Sequence, residues 1–416
     1  MPAIRHAALA LSALHKEYAI EGITKPGDDQ INSNALQQYI KALHYMQEYL
    51  SSKEPLDEKT VLIGCKLFYC IEIARQDYKA ALRHVKSGLR ILKDWKAKQK
   101  KQPLSNMNSG PTDDVNDLIE NFSHLDVQIR VFEKGQLPYL GLATSEERLG
   151  LVPCVPLAFH LLSDVWTVTN KLVNWGFHFL GSSIERKQGM PEDTEIGNLS
   201  EMAVFEKELD RWSTAFETFM RNHHANLSSL DLESATTASL VHRATKVMVL
   251  LIAERKSPFE LHDDFEDMLN MAEMIITYHN VNSMALPRSF TFETGPIATL
   301  WLLAMSCQNH DMTARAVRLM DKWPRREGLW DGARVSGAVE KAQRAFQSYQ
   351  FPTQVPNLRR DSSANREGEG EGERDFYIYS FSKIFGAIDG KERSPSEERT
   401  VSPEVISEAV ECELRP

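Results

Sequence analysis

The sequence predicts an all-α protein: a multi-helix domain of antiparallel helix pairs over residues 1–350, followed by a largely disordered acidic tail over 351–416. Apolar residues recur at intervals of three and four through most of the first 350 residues, which is the spacing of helical faces. Breaks rich in Pro, Gly and polar residues cut this pattern into lengths typical of helices. Beyond about Pro352 the apolar content falls, and the run DSSANREGEGEGER cannot offset its own ordering entropy.

The first helices are predicted individually. Apolar positions from Leu36 to Leu50 recur at helical spacing. Val61 to Ala74 is apolar nearly all round, which predicts a central, buried helix, and Pro55 and Asp57 precede it as start signals. Tyr78 to Leu92 has one apolar face and follows after three residues. The two helices should therefore form an antiparallel pair.

Further along, we predict loops over Lys96–Asp114 and Gly181–Asn198, where polar residues, Gly and Pro cluster. Prolines at Leu286-Pro287 and Trp323-Pro324 mark two later breaks. Asp331 is expected to cap a last helix. Helical runs cover Val115–Glu133, Leu157–Leu180, Met202–Arg221, Ala235–Glu254 and Phe265–His279, and the face of the last helix carries Val335, Val339, Ala342 and Phe346.

Two segments near the chain ends have their own character. The N-terminal MPAIRHAALALSALHKEY resembles a secretion signal only superficially, because its apolar run is short and no cleavage site follows. It is interpreted as an amphipathic helix. Within the acidic tail, the aromatic segment 375–388 is expected to form a short strand pair or to dock onto the helices.

The composition narrows the function classes. The 416 residues are 42% hydrophobic and 25% charged, as in ordinary soluble proteins. A formal net charge of -10 argues against the whole chain acting as a nucleic-acid binder, since neutralising phosphates needs a basic face. No run of 18 apolar residues predicts a membrane helix. The cysteines lack CxxC spacing and should be buried in a reducing compartment: Cys65, Cys70, Cys154, Cys307 and Cys412.

The sequence carries no enzyme signature. A GxSxG elbow, an HExxH pair, a phosphate-binding GxxxxGK[ST] loop and a strand-led GxGxxG are all missing. We therefore expect no enzyme activity, no cofactor and no metal. There are two metal candidates. His223 and His224 are adjacent and so point to different faces of a helix, where they cannot easily chelate one ion. The group His262, Asp263, Asp264 and Glu266 is interpreted as a solvated, acid-capped helix start. His84 and His124 sit beside apolar positions and are expected to be packed.

Two charged motifs remain. A basic run comprises Arg90, Lys93, Lys96, Lys98, Lys100 and Lys101. It could bind phosphates or direct nuclear import, but lysines at a helix C-terminus complement the helix dipole, and Asp94 interrupts the run, so a solvated helix end is favoured. The Gly-Glu repeat near residue 370 is low in complexity, and its charge would repel an anion.

Two passages, residues 61–95 and 289–342, resemble the helical regulatory region of fungal zinc-cluster transcription factors. The resemblance spans about residues 3–350, and the second passage is the more specific. In the first passage the matching residues are Ala81, His84, Gly88 and Leu89. In the second they form the signature turn: Pro324, Arg325, Arg326, Glu327, Gly328, Leu329 and Trp330.

The signature turn should be a structural joint rather than a ligand site. Pro324 disfavours helix at the preceding residue, and Gly328 permits a positive φ. Arg325 or Arg326 could pair with Glu327 or with carbonyls at a helix C-terminus, while Trp323 and Trp330 supply buried area.

The resemblance implies a transcription regulator in the nucleus, with the cytoplasm as a further location. It would act through a protein partner, either a zinc-cluster factor or a second copy, or through a small-molecule effector.

The six-cysteine zinc cluster that reads DNA in the family is not present in this sequence, so no DNA-binding residue is assigned. The family's Lys-Cys-Arg is replaced by Ser306, Cys307 and Gln308. A cluster encoded upstream of Met1 and a protein without one are both compatible with this. The alternative is a helical scaffold or small-molecule-binding protein outside transcription.

Overall fold

The computed structural model describes residues 1–21, 33–52, 57–100, 113–132, 138–187, 193–253, 255–282, 289–291, 295–323 and 325–350. Its regular elements are almost all helices, which confirms the all-α class. The acidic tail with its aromatic segment, Pro55, Pro287 and Pro324 lie outside the described residues, as does Cys412. The division of the chain at residue 350 therefore stays a prediction.

The helices lie close to where the periodicity places them. In chain order they are α1 (Pro2–Glu21), α2 (Ser33–Ser51), α3 (Glu58–Ala74), α4 (Tyr78–Lys100), α5 (Asp113–Phe132), α6 (Ser145–Arg148), α7 (Leu162–Lys187), α8 (Asp193–His223), α9 (Ser229–Ile252), α10 (His262–Asn282), α11 (Pro296–Ser306), α12 (His310–Lys322) and α13 (Gly332–Gln350). Two short strands, β1 (Ser289–Thr291) and β2 (Arg325–Glu327), pair in parallel.

Several local signals act as predicted. The N-terminal segment is helix α1, and it buries one stripe of small residues, among them Ala3, Ala7 and Ala10. The carboxylate of Asp57 caps α3 by accepting the N–H groups of Lys59 and Thr60, each at 3.2 Å. Asp331 does the same for α13, accepting the N–H of Arg334 at 3.1 Å. The side chain of Phe346, predicted for the apolar face of the last helix, lies outside the described side chains.

The two predicted loops were too long. Helix α4 continues to Lys100 and α5 begins at Asp113, so the loop predicted over Lys96–Asp114 loses both of its ends to helix. The break predicted over Gly181–Asn198 is wrong in the same way, because α7 runs to Lys187 and α8 starts at Asp193. Polar residues such as Lys, Gln and Glu have high helix propensity, so a loss of apolar residues ends the buried face but not the helix.

Three apolar clusters make up the core of the described residues. The largest joins α7 to α13. A second lies between α3, α4 and α5, and a third between α1, α2 and α3. Helix α3 contributes to both of the smaller clusters, which confirms its predicted central place. The predicted antiparallel pair α3–α4 is present, and Gln76 in its connection has a φ of 63°. Cys65, Cys70, Cys154 and Cys307 are buried free thiols, as expected.

Gly88 sets the distance between α4 and α5. A Cβ built at this position would lie 2.1 Å from Cε1 of Phe122, a side chain that is completely buried. Real Cβ atoms do not come so close, so any larger residue would push the ring or the whole of α5 outwards. This requirement explains a glycine in the middle of a helix, where it otherwise costs stability.

We predict that Gly88→Ala lowers the free energy of unfolding by about 1–3 kcal/mol, because overpacking outweighs the gain in helix propensity. The matched control is Gly337→Ala in α13, where an added Cβ meets nothing within 4 Å. That change should raise the free energy of unfolding by up to about 1 kcal/mol. Urea denaturation followed by circular dichroism measures both. A Gly88→Ala protein as stable as the parent would refute the packing argument.

Candidate functional site

The signature residues of α4 are packing residues in the structure. Ala81 and Leu89 are completely buried in the cluster between α3, α4 and α5. The ring of His84 lies against Phe68 with centroids 5.3 Å apart. Burial lowers the pKa of His84 below its ordinary value, which favours the neutral ring at pH 7. None of these side chains faces either of the two cavities described below.

The signature turn is a short strand followed by a tight reversal. Residues 325–327 form β2, which pairs in register with β1. The N–H of Trp330 then donates to the carbonyl of Glu327 at 2.9 Å, closing a four-residue turn. Gly328 has a φ of 56°, as predicted, and a Cβ there would lie 2.9 Å from Oε1 of Gln128. The strand pair was not predicted at this place.

The two signature passages meet at Tyr78, the first residue of α4. Its hydroxyl oxygen accepts a hydrogen bond from the guanidinium of Arg326 and another, at 3.2 Å, from Nη1 of Arg334. Both guanidinium groups also lie over the Tyr78 ring, at 5.4 and 5.5 Å from its centroid. Leu329 of the turn packs in the same cluster as Leu89. The signature turn is therefore attached to the α3–α4 pair.

The arginines of the turn have partners on other helices that the sequence did not predict. Nη1 of Arg325 lies 2.9 Å from Oε1 of Glu233 on α9, and the same oxygen lies 3.5 Å from Nδ1 of His279 on α10. Arg326 turns the other way, to Tyr78. Adjacent residues of a strand point to opposite faces, so consecutive arginines reach different helices. Trp323 and Trp330 are buried, as predicted.

Glu327 is completely buried at the N-terminus of α11. Its Oε2 accepts the N–H groups of Gly295 at 3.0 Å and of Ile297 at 3.1 Å. Burial raises the pKa of this carboxyl to about 8, although the two N–H groups act in the opposite direction. A Cβ at Gly295 would lie 2.4 Å from Oε1 of Glu327, so glycine is needed there. Glu327 thus caps α11, although it lies 30 positions after Ile297, whose N–H it accepts.

An apolar cavity of about 100 Å³ lies beside this joint. Its walls come from α5, α7, α9 and α11, and Trp330 of the signature turn completes them. The ring of Trp330 lies 5.4 Å from that of Trp301, which also faces the cavity. Its polar lining residues are few: Ser123, His124, Gln128, Asn170, Thr245 and Thr299. An apolar space with a few polar groups is the usual form of a small-molecule site.

His124 is the one titratable side chain among these lining residues. A hydrogen bond links it to Asn170. Burial lowers the pKa of His124 to about 4, so the ring is neutral at pH 7. The cavity accordingly offers hydrogen-bonding groups without a charge. Sequence reasoning had predicted that His124 is packed, and nothing in its local pattern indicated a cavity.

A second, polar cavity of about 170 Å³ adjoins the first across Trp166. Glu233, Arg325 and Glu327 line it. Nε1 of Trp166 donates to Oγ of Ser234 at 2.8 Å, which holds the indole between the two spaces. The signature turn therefore contributes side chains to both cavities.

The candidate metal ligands at the start of α10 are engaged in ion pairs or exposed, whereas the ring of His223 lies against Phe219 with centroids 4.9 Å apart. Asp264 lies 2.7 Å from Nη1 of Arg243, and Glu266 lies 2.5 Å from Nη1 of Arg315. His262 is exposed at the start of α10. Among the described residues no three His, Cys, Asp or Glu side chains are placed to hold a metal ion. Over the same residues, no helix is long and apolar enough to cross a membrane.

The buried carboxyl of Glu327 predicts a pH dependence of stability. Between its ordinary pKa of 4.5 and the raised value of about 8, the unfolded chain loses a proton that the folded protein keeps. Stability should therefore fall as pH rises through this window, by up to about 1.4 kcal/mol per pH unit from this group. Glu327→Gln, whose amide oxygen can still accept both N–H groups, should flatten the decline.

Urea denaturation at pH 5, 6, 7 and 8 measures this effect. The control is Glu340→Gln, which removes an exposed carboxylate paired with Arg344 on α13. It should leave the pH dependence unchanged. The same slope for Glu327→Gln and for the parent would show that Glu327 is already ionised in the folded protein.

Comparison with known proteins assigns the sequence to a family. The family model described as "Fungal specific transcription factor domain" matches residues 1–258, more than half of the chain. These residues include the α3–α4 pair and exclude the signature turn, whose status as a family signature stays a prediction. No solved structure matches the chain significantly.

One curated relative is the aspercryptin biosynthesis cluster-specific transcription regulator of Emericella nidulans, which is 22% identical over 416 residues. The alignment covers 79% of this chain, and the chain spans 65% of the length of that relative. The family and the relative are both described as transcription factors or regulators rather than enzymes, in agreement with the motif search. The chain belongs to the fungal-specific transcription factor domain family.

Proposed function

We propose that this chain is the regulatory region of a fungal transcription regulator, that it acts in the nucleus, and that it senses a small effector in the apolar cavity. Family membership supports the first part. The observation that carries the last part is the position of Trp330, which belongs to the signature turn and also forms a wall of the cavity. A protein partner, a zinc-cluster factor or a second copy, would read out the effector-bound state.

The lining of the cavity defines the class of effector. The space is somewhat smaller than an engineered cavity of about 150 Å³ that binds benzene, so a single small ring or a short branched chain is the upper limit. Oγ of Ser123 and Nε2 of His124 are buried lining atoms with no hydrogen-bond partner in the described protein, so they can bond one polar group of the ligand, and neutral His124 adds no charge. A small, uncharged, mainly apolar molecule with one hydroxyl or carbonyl fits this description.

Phenol is a suitable probe, because it combines one ring with one hydroxyl. We expect the full chain to bind phenol in isothermal titration, and Ala298→Leu, which fills the cavity, to weaken binding at least about tenfold, in line with a loss of 1.4 kcal/mol or more. Ala203→Leu, on the exposed surface of α8, is the matched control. Thermal melting establishes that each variant folds. Equal affinity in the two variants would exclude the cavity as the binding site.

The residues of this chain should not recognise DNA by themselves. Its cysteines cannot supply the six thiolates of a zinc cluster. In gel-shift assays with and without added zinc, the full chain should give no sequence-specific complex, and elemental analysis should find no stoichiometric zinc. A tight, zinc-dependent shift would overturn this. Exclusion of a fluorescent fusion from the nucleus in every growth condition would instead favour the non-transcriptional scaffold.

A further inference from the structure

Helix α4 carries a basic stripe on the face opposite the core. The stripe consists of Lys79, Arg83, Lys86, Arg90 and Lys93, which follow one another at alternating steps of four and three residues. Such steps place side chains on one face of a helix, and the five residues span about 21 Å. Four of them are exposed, and Lys86 is partly so. The stripe extends the predicted basic run towards the start of the helix.

Few described carboxylates offset this charge. Within the described residues, Lys79, Arg83 and Arg90 form no ion pair with a carboxylate. Lys93 lies over the ring of Tyr139, at 6.0 Å from its centroid. In a chain with a net charge of -10, a row of five cations on one helix face is a candidate surface for an anionic partner, although Asp94 lies at its C-terminal end.

The same chain contains a segment with the matching pattern. In the acidic segment, residues 367–375, carboxylates occupy every second position: Glu367, Glu369, Glu371, Glu373 and Asp375. When a chain is extended, residues two apart point to the same side at a spacing of about 7 Å. Neighbouring cations of the stripe are about 5 Å apart along the helix axis. An extended segment of this length would span about 26 Å, which is enough to cover the stripe from end to end without placing one carboxylate opposite each cation.

The chain between them is long enough. Sixteen residues separate the end of α13 at Gln350 from Glu367. Fully extended, they reach up to about 55 Å. Arg334 of α13 contacts Tyr78 at the start of α4, and α13 continues from there to Gln350, about 24 Å further along the helix axis. The tether is therefore long enough for the acidic segment to reach the stripe.

We propose that the basic stripe of α4 binds the acidic segment 367–375 of the same chain. Each exposed ion pair contributes at most about 1 kcal/mol and is screened by salt. The tether compensates, because it keeps the acidic segment at a millimolar effective concentration. The contact is thus reversible and opens as ionic strength rises. It also covers cations that could otherwise attract phosphates. This proposal is independent of the effector cavity.

Zero-length carbodiimide cross-linking of the full chain tests the contact. The reagent activates a carboxylate, and an amine in contact with it forms an amide with release of a urea. Mass spectrometry should find residues 367–375 joined to Lys79, Lys86 or Lys93 at low salt, and the yield should fall in 0.5 M NaCl. The ion pair Lys171–Glu147, at 2.5 Å within the fold, is the internal standard for reagent activity. Glu397 and Glu398 are comparison carboxylates in the same tail.

Charge removal that spares the reactive lysines makes the test specific. Arg83→Gln with Arg90→Gln should lower these cross-links about three- to tenfold, as expected from the loss of two surface ion pairs. The matched control is Arg221→Gln with Arg318→Gln, two exposed arginines on α8 and α12. This control carries the same charge change, and it should leave the yield unchanged.

Three results would overturn the proposal. One is an equal yield from Glu397 and Glu398, or at the exposed Lys207 and Lys256, which would show that the tail has no preferred site. Another is a cross-link found only between copies in a mixture of isotopically labelled and unlabelled protein, which would assign the acidic segment to a second molecule. The third is no tail cross-link, together with protection of the stripe lysines by a DNA duplex, which would assign the stripe to phosphates.

Discussion

Two polar side chains of the signature turn, Arg326 and Glu327, are buried, and other elements of the structure supply hydrogen-bond partners for both. Arg326 is 3% exposed and Glu327 completely buried. Such groups cost several kcal/mol when they have no partner, so each must meet a complementary group that other elements supply. Arg326 finds Tyr78 on α4, Arg325 finds Glu233 on α9, and Glu327 caps α11. Three elements distant in sequence are thereby fixed around one turn, and the N-terminal and C-terminal helices form one packed unit.

The apolar cavity gains its proposed role from this arrangement. Its wall residue Trp330 follows Glu327 by three positions and is bound to it by two backbone hydrogen bonds. Under the proposed function, an effector that displaces the Trp330 ring also disturbs the backbone that holds Arg326 against Tyr78. The coupling would pass through rigid, packed groups with few alternative arrangements, which is what a two-state response requires. A ligand changes this equilibrium only by the difference in its affinity for the two states.

The helices and their caps could be predicted because the information is local. The apolar spacing of Tyr78 to Leu92 defines a face, and the carboxylates of Asp57 and Asp331 cap helices that begin at the next residue. The partners of Arg325 and Arg326 could not be predicted, since Arg326 and Tyr78 are 248 positions apart. The cavity left even less trace, because it is the space that four helices leave between them, and an ordinary helical pattern around His124 does not reveal it. Gly88 is an intermediate case. The sequence showed that it matches a family pattern, but the need for glycine comes from the Phe122 ring on another helix.

Net charge is a poor guide to what this surface can bind. The acidic balance argued against nucleic-acid binding by the whole chain, yet the cations of α4 stand in one row and could neutralise several phosphates. The proposed contact with the acidic segment reconciles these two observations. A tethered polyanion at millimolar effective concentration competes with any external anion for the same five side chains, and both interactions weaken with salt. A phosphate-bearing partner would bind the cations of α4 only when a stronger contact with another part of the protein holds it nearby. Under this proposal, a phosphate-bearing partner binds the stripe only if its other contacts with the protein outweigh the competition from the acidic segment.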